Sequence, residues 1–248
     1  AWPSVESVLA SNQRHTGARV ELAIRAFDSG QLDEALRLSE EVTGVVLVAG
    51  ERLRATRSEE SSAWTTQGRV FESRHRPQLA FERYQRAVQV QQSNAHAILG
   101  AGRSLLGDRP TEALSRFETV VSMGAAVAGT HNGHTLNVEA RLGAVQAKVA
   151  MNRGEDAVRE ITALSTEFPE DGVITYWRGV AEQAIEHLDA AEQNYRDAIR
   201  QAATLHPAYL ALATLYHRQS RSDDAALVMQ QLRASVPESA QLRAAIGD

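Results

Sequence analysis

At four places in the chain a small residue is followed twelve positions later by alanine: Ala23 and Ala35, Gly68 and Ala80, Gly179 and Ala191, Ala213 and Ala225. Gly100 precedes Ala113 by thirteen residues and Gly143 precedes Ala157 by fourteen, so the device recurs with small departures along the whole chain. Twelve residues suffice for the rest of one helix, a tight turn and the start of a second helix running back along the first. Small side chains at both positions let the two helices approach closely, because the residues at a crossing set its distance. Large residues then fill the space around the contact: Trp64, Phe71 and Tyr84 beside Gly68, Phe117 after Ala113, Tyr195 after Ala191, Met229 and Leu232 after Ala225. Pro77, Pro110 and Pro207 each open an apolar-periodic run, as proline does in a first helical turn, whereas Pro169 and Pro237 fall where a second helix has ended. No stretch alternates apolar and polar residues with period two, so no strand is predicted.

A chain of 248 residues with 43% hydrophobic and 23% charged residues can bury a substantial core and sits at globular averages, which excludes a disordered chain. No run approaches the roughly 18 apolar residues of a spanning helix, so direct membrane insertion is excluded. Net charge is -5, and the acidic excess lies beyond residue 124, where it argues against a nucleic-acid binder. The absence of cysteine excludes a disulfide framework and any thiolate chemistry. The chain begins Ala1-Trp2-Pro3 without an initiator methionine and without the basic then apolar stretch of a signal peptide. That is the start of a processed chain or of an excised piece, with a cytoplasmic setting favoured over a periplasmic one.

The spacing of Trp64, Gly68, Phe71, Ala80, Tyr84 and Ala87, repeated in Leu99-Gly100, Ala113 and Phe117 and again in Gly179, Ala191 and Tyr195, resembles the tetratricopeptide repeat family. The resemblance implies an all-α, right-handed superhelical solenoid of about six antiparallel helical hairpins, formed by the whole chain. The repeats fall at about 16–49, 61–94, 93–127, 136–170, 172–205 and 206–240, with residues 1–15 as an N-terminal cap. Two joins break the pattern. Ser122 to Thr135 carries three glycines and is expected to be an extended loop, and Val42 to Ser61 has no proline and is expected to be an overlong helix. The register of the fourth repeat is left open.

No catalytic motif is present: there is no Gly-x-Ser-x-Gly elbow, no Gly-x-Gly-x-x-Gly and no phosphate loop ending in Gly-Lys-Ser/Thr. Gly100-Ala-Gly102 is read as helix packing. Glu155-Asp156, Glu170-Asp171 and Asp223-Asp224 stand at helix starts, where carboxylates complement the helix dipole. His131 and His134 are closely spaced with Glu139 nearby, but a glycine-rich loop does not orient imidazoles rigidly, so no metal or other cofactor is predicted. Between Arg52 and Arg86 stand eight arginines, which read as a solvated face or as a patch for carboxylates or phosphates.

The family's first helices line a concave surface that holds a peptide or a partner helix and performs no chemistry. The chain is accordingly expected to be a bacterial scaffold or adaptor in a larger assembly, not an enzyme, and compatible with self-association. A regulatory solenoid excised from a larger protein or enzyme is the alternative. The inward positions carried over by the resemblance include Val20, Ile24, Glu72, Ala97, Leu210 and Arg218, and those taken as partner-binding are Phe27, Thr65, Arg69, Ile98, Ala101, Leu105, Tyr176, Trp177, Val180, Thr214 and His217. An apolar floor with arginine near one end suits a protein or peptide partner presenting an amphipathic or acidic segment.

Overall fold

The computed structural model describes residues 4–124, 130–131 and 134–235, and it divides the chain into two compact units, residues 1–143 and 144–248. The first unit holds α1 (Val5–Ser11), α2 (Thr16–Asp28), α3 (Leu32–Thr43), α4 (Arg57–Ser73), α5 (Pro77–Val90), α6 (Ala95–Leu105) and α7 (Pro110–Ser122). Helix α8 (Leu136–Ala150) begins in the first unit and ends in the second, which continues with α9 (Gly154–Glu167), α10 (Gly172–Ala184), α11 (Leu188–Gln201), α12 (His206–Arg218) and α13 (Ser222–Ser235). In the first unit α2–α3, α4–α5 and α6–α7 pair as hairpins and in the second α10–α11 and α12–α13 do, with junction contacts of α3 on α4, α5 on α6, α9 on α10 and α11 on α12.

The turns explain why the hairpins are tight. Gly30, His75, Asn152, Glu186 and Ser220 each stand two residues after a helix end with φ between 53° and 78°. In each case the following amide donates back across the turn: Gln31 to Ala26 O, Arg76 to Phe71 O, Arg153 to Lys148 O, His187 to Glu182 O and Arg221 to Tyr216 O, all at 2.8–3.0 Å. This six-to-one closure satisfies carbonyls that a helix end leaves bare. Pro77 and Pro110 occupy the first turns of α5 and α7, and Pro207 that of α12. Pro169 follows the end of α9, and Pro237 lies outside the described residues.

The small residues meet their partners, and the glycines do so in two directions. Tyr84, fully buried on α5, lies between Gly68 of its own hairpin and Gly100 of the next: a methyl group at Gly68 would stand 2.6 Å from the ring, and one at Gly100 would overlap it. Phe117 on α7 lies in the same way between Gly102 and Gly143, and Tyr195 on α11 faces Gly179. Gly100 therefore serves the preceding hairpin. The twelve-residue spacing in the third hairpin belongs to Ala101 and Ala113, and in the fourth Val145 stands twelve before Ala157. All four are buried.

Two sequence expectations are corrected. The segment after Val42 is no overlong helix, because α3 stops at Thr43 on Gly44, whose φ of 74° places it in the left-handed region. Residues 44–56 then run as a loop pinned by the Val48–Glu51 bridge and by buried Leu53. The loop after α7 contains strands: Thr130–His131 (β1) pairs antiparallel with His134–Thr135 (β2), Thr130 opposite Thr135. The intervening sequence is Asn132-Gly133, the dipeptide favoured in two-residue hairpins. No described helix is long and apolar enough to cross a membrane.

Candidate functional site

Helices α2, α4 and α6 are the first helices of three successive hairpins, and α4 packs against both of the others. Between them lies a cavity of about 570 Å³ lined by Phe27, Thr65, Arg69, Glu72, His96 and Arg103 among others. A second recess of about 280 Å³, which includes Ile24, Thr66 and Asn94, shares Thr65, Arg69 and His96 with it. The polar wall is built from capping and packing groups. Asn94 caps α6 by accepting from Ala97 N, and its amide donates to Ser61 Oγ at 2.8 Å and Thr65 Oγ1 at 3.0 Å. Ser61 Oγ in turn donates to Ala87 O, so the wall is tied to α5.

Two arginines enter the cavity in different settings. Arg103 donates to both oxygens of Glu72, Nε to Oε1 at 2.7 Å and Nη2 to Oε2 at 3.1 Å, and the Tyr84 hydroxyl donates to Oε2 at 2.6 Å. This bidentate, charge-assisted pair fixes both partners. Burial opposes the charge of Arg103, but Glu72 outweighs it and raises the guanidinium above its ordinary range. Burial, followed by the Glu72 carboxylate, pushes the Tyr84 phenol far above its ordinary value. Arg69 has its guanidinium 4.0 Å from the centre of the Phe27 ring and donates one hydrogen bond, from Nη2 to Asp28 Oδ1 at 3.0 Å.

His96 stands at the rim near both cations. Partial burial, then Arg69 and Arg103, lower its pKa from the ordinary 6.5. A histidine held neutral in the folded chain and free to charge in the unfolded one makes folding less favourable once pH falls below 6.5. The sign follows from proton counting: in that window the unfolded state binds more protons. His96→Gln is therefore expected to lose less melting temperature than the parent between pH 6.5 and 5. Equal losses in a paired thermal scan would contradict the assignment.

Of the residues singled out from sequence, Phe27, Thr65 and Arg69 line this cavity together. Ile98, Ala101 and Leu105 do not: they are 2%, 1% and 2% exposed, and α6 turns His96, Leu99 and Arg103 to the cavity instead. Most of α6 is buried all round, which leaves no apolar stripe for a partner. Tyr176, Trp177 and Val180 sit half-buried on α10 in the second unit, where Tyr176 and Val180 pack on the apolar cluster of α11–α13 and Trp177 meets Tyr176 edge-on at 5.2 Å. Thr214 and His217 are exposed on α12.

Glu72, an inward position in the sequence reading, lines the cavity as well, whereas Asp28, His96 and Arg103 were not selected from sequence, because their pairing depends on contacts between separate hairpins. The acidic doublets do serve helix starts: Asp171 accepts from Val173 N and Ile174 N, and Asp156 and Asp224 pair with Arg153 and Arg221. His134 Nδ1 lies 3.2 Å from Glu139 Oε1. Among the described residues no group of three or more His, Asp or Glu side chains is arranged to hold a metal, and the His131 side chain lies outside them.

No protein-family model matches the chain, and no curated protein sequence matches it. Solved structures do. A tetratricopeptide repeat protein from Parabacteroides merdae ATCC 43184 is similar over 98% of this chain and 88% of its own, at 12% identity and a TM-score of 0.72. PilW, a widely conserved type IV pilus biogenesis factor, is similar over 94% of this chain and 98% of its own, at 14% identity and a TM-score of 0.69. YrrB, a repeat protein with an unusual peptide-binding site, is similar over 85% of this chain and 98% of its own, at 16% identity and a TM-score of 0.59. At such identities the likeness establishes the fold, an all-α array of tetratricopeptide-type hairpins.

Proposed function

We propose that this chain of tetratricopeptide-type hairpins is a non-catalytic scaffold whose first unit binds an extended segment of a partner protein in the cavity between α2, α4 and α6. The observation that carries this reading is the convergence of Phe27, Thr65, Arg69, His96 and Arg103 from three successive first helices on one open recess. Such a recess combines an apolar ring, a fixed polar wall and cations, the mixture that gives a peptide both affinity and register. YrrB, which shares the fold, is described as having a peptide-binding site, and PilW as a pilus biogenesis factor, so both accord with a role in binding and assembly.

The test is a peptide array of twelve-residue segments probed with the whole chain and with Arg69→Glu. Arg69 is partly exposed and its loss leaves the core intact, so circular dichroism should be unchanged. Peptides that bind the parent are expected to weaken about tenfold or more on the variant. Equal binding to both proteins, or no binding to either, would place the interaction elsewhere. Arg69 is substituted alone, because a carboxylate placed deeper in the wall, as at buried Ile98, would disturb folding.

A further inference from the structure

The loop between α3 and α4 turns an apolar run outward. Among the described residues six large hydrophobic side chains stand exposed, and three of them are consecutive: Val45, Val46 and Leu47, at 39–55%. Single apolar side chains on a surface need no explanation, whereas a contiguous exposed run marks a contact. Looseness does not account for it. Val48 and Glu51 exchange backbone hydrogen bonds at 3.0 and 3.1 Å across Ala49 and Gly50, whose φ values of 51° and 78° are both positive, as a two-residue hairpin turn requires. On the return arm Leu53 is buried, and Arg52 lies across Gly44 with Nη2 donating to Thr43 O. The chain thus anchors Leu53 while it holds Val45, Val46 and Leu47 out.

The cations beside this run lack counter-charges of their own. Glu51 pairs with Arg14, Glu60 with Arg52, and Glu59 is taken up in capping α4. Arg54 and Arg57 are exposed and make no hydrogen bond or ion pair among the described residues. Arg57 is moreover the first residue of α4, where the helix dipole disfavours a cation. The backbone decides between two kinds of partner. A protein strand added to the run would need free edge amides, but Val45 N and Val46 N both donate to Glu40 O, at 3.0 and 3.1 Å. An apolar medium asks the reverse, that amides be satisfied internally.

We infer that the 44–57 loop docks the chain on an anionic phospholipid surface. Val45, Val46 and Leu47 enter the boundary between headgroups and acyl chains, and Arg54 and Arg57 take lipid phosphates in bidentate fashion. Three side chains span nothing, so the attachment is peripheral. It is independent of the groove reading.

The test uses the whole chain and vesicles of phosphatidylcholine, alone or with about one third phosphatidylglycerol. In flotation the parent is expected to bind the anionic vesicles about tenfold more tightly than the neutral ones. Val46→Ser with Leu47→Ser, and separately Arg54→Gln with Arg57→Gln, should each weaken anionic binding about tenfold. All four positions are exposed, so circular dichroism and binding to array peptides should not change. Because the chain has no cysteine, Leu47→Cys accepts a single environment-sensitive dye, whose emission should shift to the blue on anionic vesicles. The same dye on Gln85→Cys, exposed on α5, should not respond. Vesicle binding that is absent, equal for the two compositions or unaltered in the variants overturns the inference, as does a dye at residue 47 that remains in water; the exposed run would then belong to a protein interface.

Discussion

Tyr84→Ala is expected to cost about 4 kcal/mol of unfolding free energy in a urea titration, in line with the removal of a large buried aromatic. The ring is fully buried and filled by two glycine backbones, one from α4 and one from α6, that have no side chains with which to collapse into the space. Deletion also frees Glu72 of a hydrogen bond, although Arg103 still pairs it. Tyr84→Phe keeps the ring and loses only the hydroxyl, so its cost should stay at about 1.5–3 kcal/mol, the range for a hydrogen bond to a charged group. The complementary change, Gly100→Leu, pushes a side chain into the same ring and should cost about 1–3 kcal/mol or more by overpacking. A Tyr84→Ala variant as stable as the parent would mean that the α4–α5–α6 packing is wrong.

The second large effect concerns charge. Arg19 on α2 and Glu41 on α3 form an ion pair with side chains only 7% and 10% exposed. Arg19 also donates to Gln13 O, and Glu41 accepts from Arg37 as well. Removing one member of such a pair strands the other, which costs about 3–5 kcal/mol. Arg19→Met should fall at the lower end, about 3 kcal/mol, because Arg37 still reaches Glu41 from the solvent side. Adding Glu41→Leu should recover most of that loss, since two apolar side chains of similar volume need no counter-charge. A double variant no more stable than Arg19→Met would show that the pair contributes something other than mutual neutralisation.

The hairpin framework was legible because close helix packing demands small residues, and Ala35, Ala80, Ala113, Ala157 and Ala191 stand at full burial where the spacing puts them. Register was less legible. Gly100 and Gly102 flank Ala101, and composition alone does not tell that the first glycine faces the ring behind and the second the ring ahead. Gly44 was readable as a helix stop but was outweighed by the absence of proline between Val42 and Ser61, and the glycines between Ser122 and Thr135 pointed to a loop without showing that Thr130–His131 and His134–Thr135 pair within it. In the site, Phe27, Thr65 and Arg69 followed from the inward positions that the family resemblance implies, whereas the pairing of Glu72 with Arg103 spans 31 residues and that of Asp28 with Arg69 spans 41. Such pairs exist only once separate hairpins have docked, and no local pattern encodes them.

Tyr84 and Phe117 each seat one ring between the hairpin that carries it and the hairpin that follows. In a repeat array where stability is a sum of unit and neighbour contributions, a shared ring moves weight from the unit to the junction. Within the first unit, α4 to α7 should therefore melt as one cooperative block, with no stable stopping point at the turn between α5 and α6. A truncation made at that turn, although it falls neatly between two hairpins, would expose the Tyr84 ring on one fragment and leave a bare glycine surface on the other. Shortened or grafted versions of this array should be divided elsewhere.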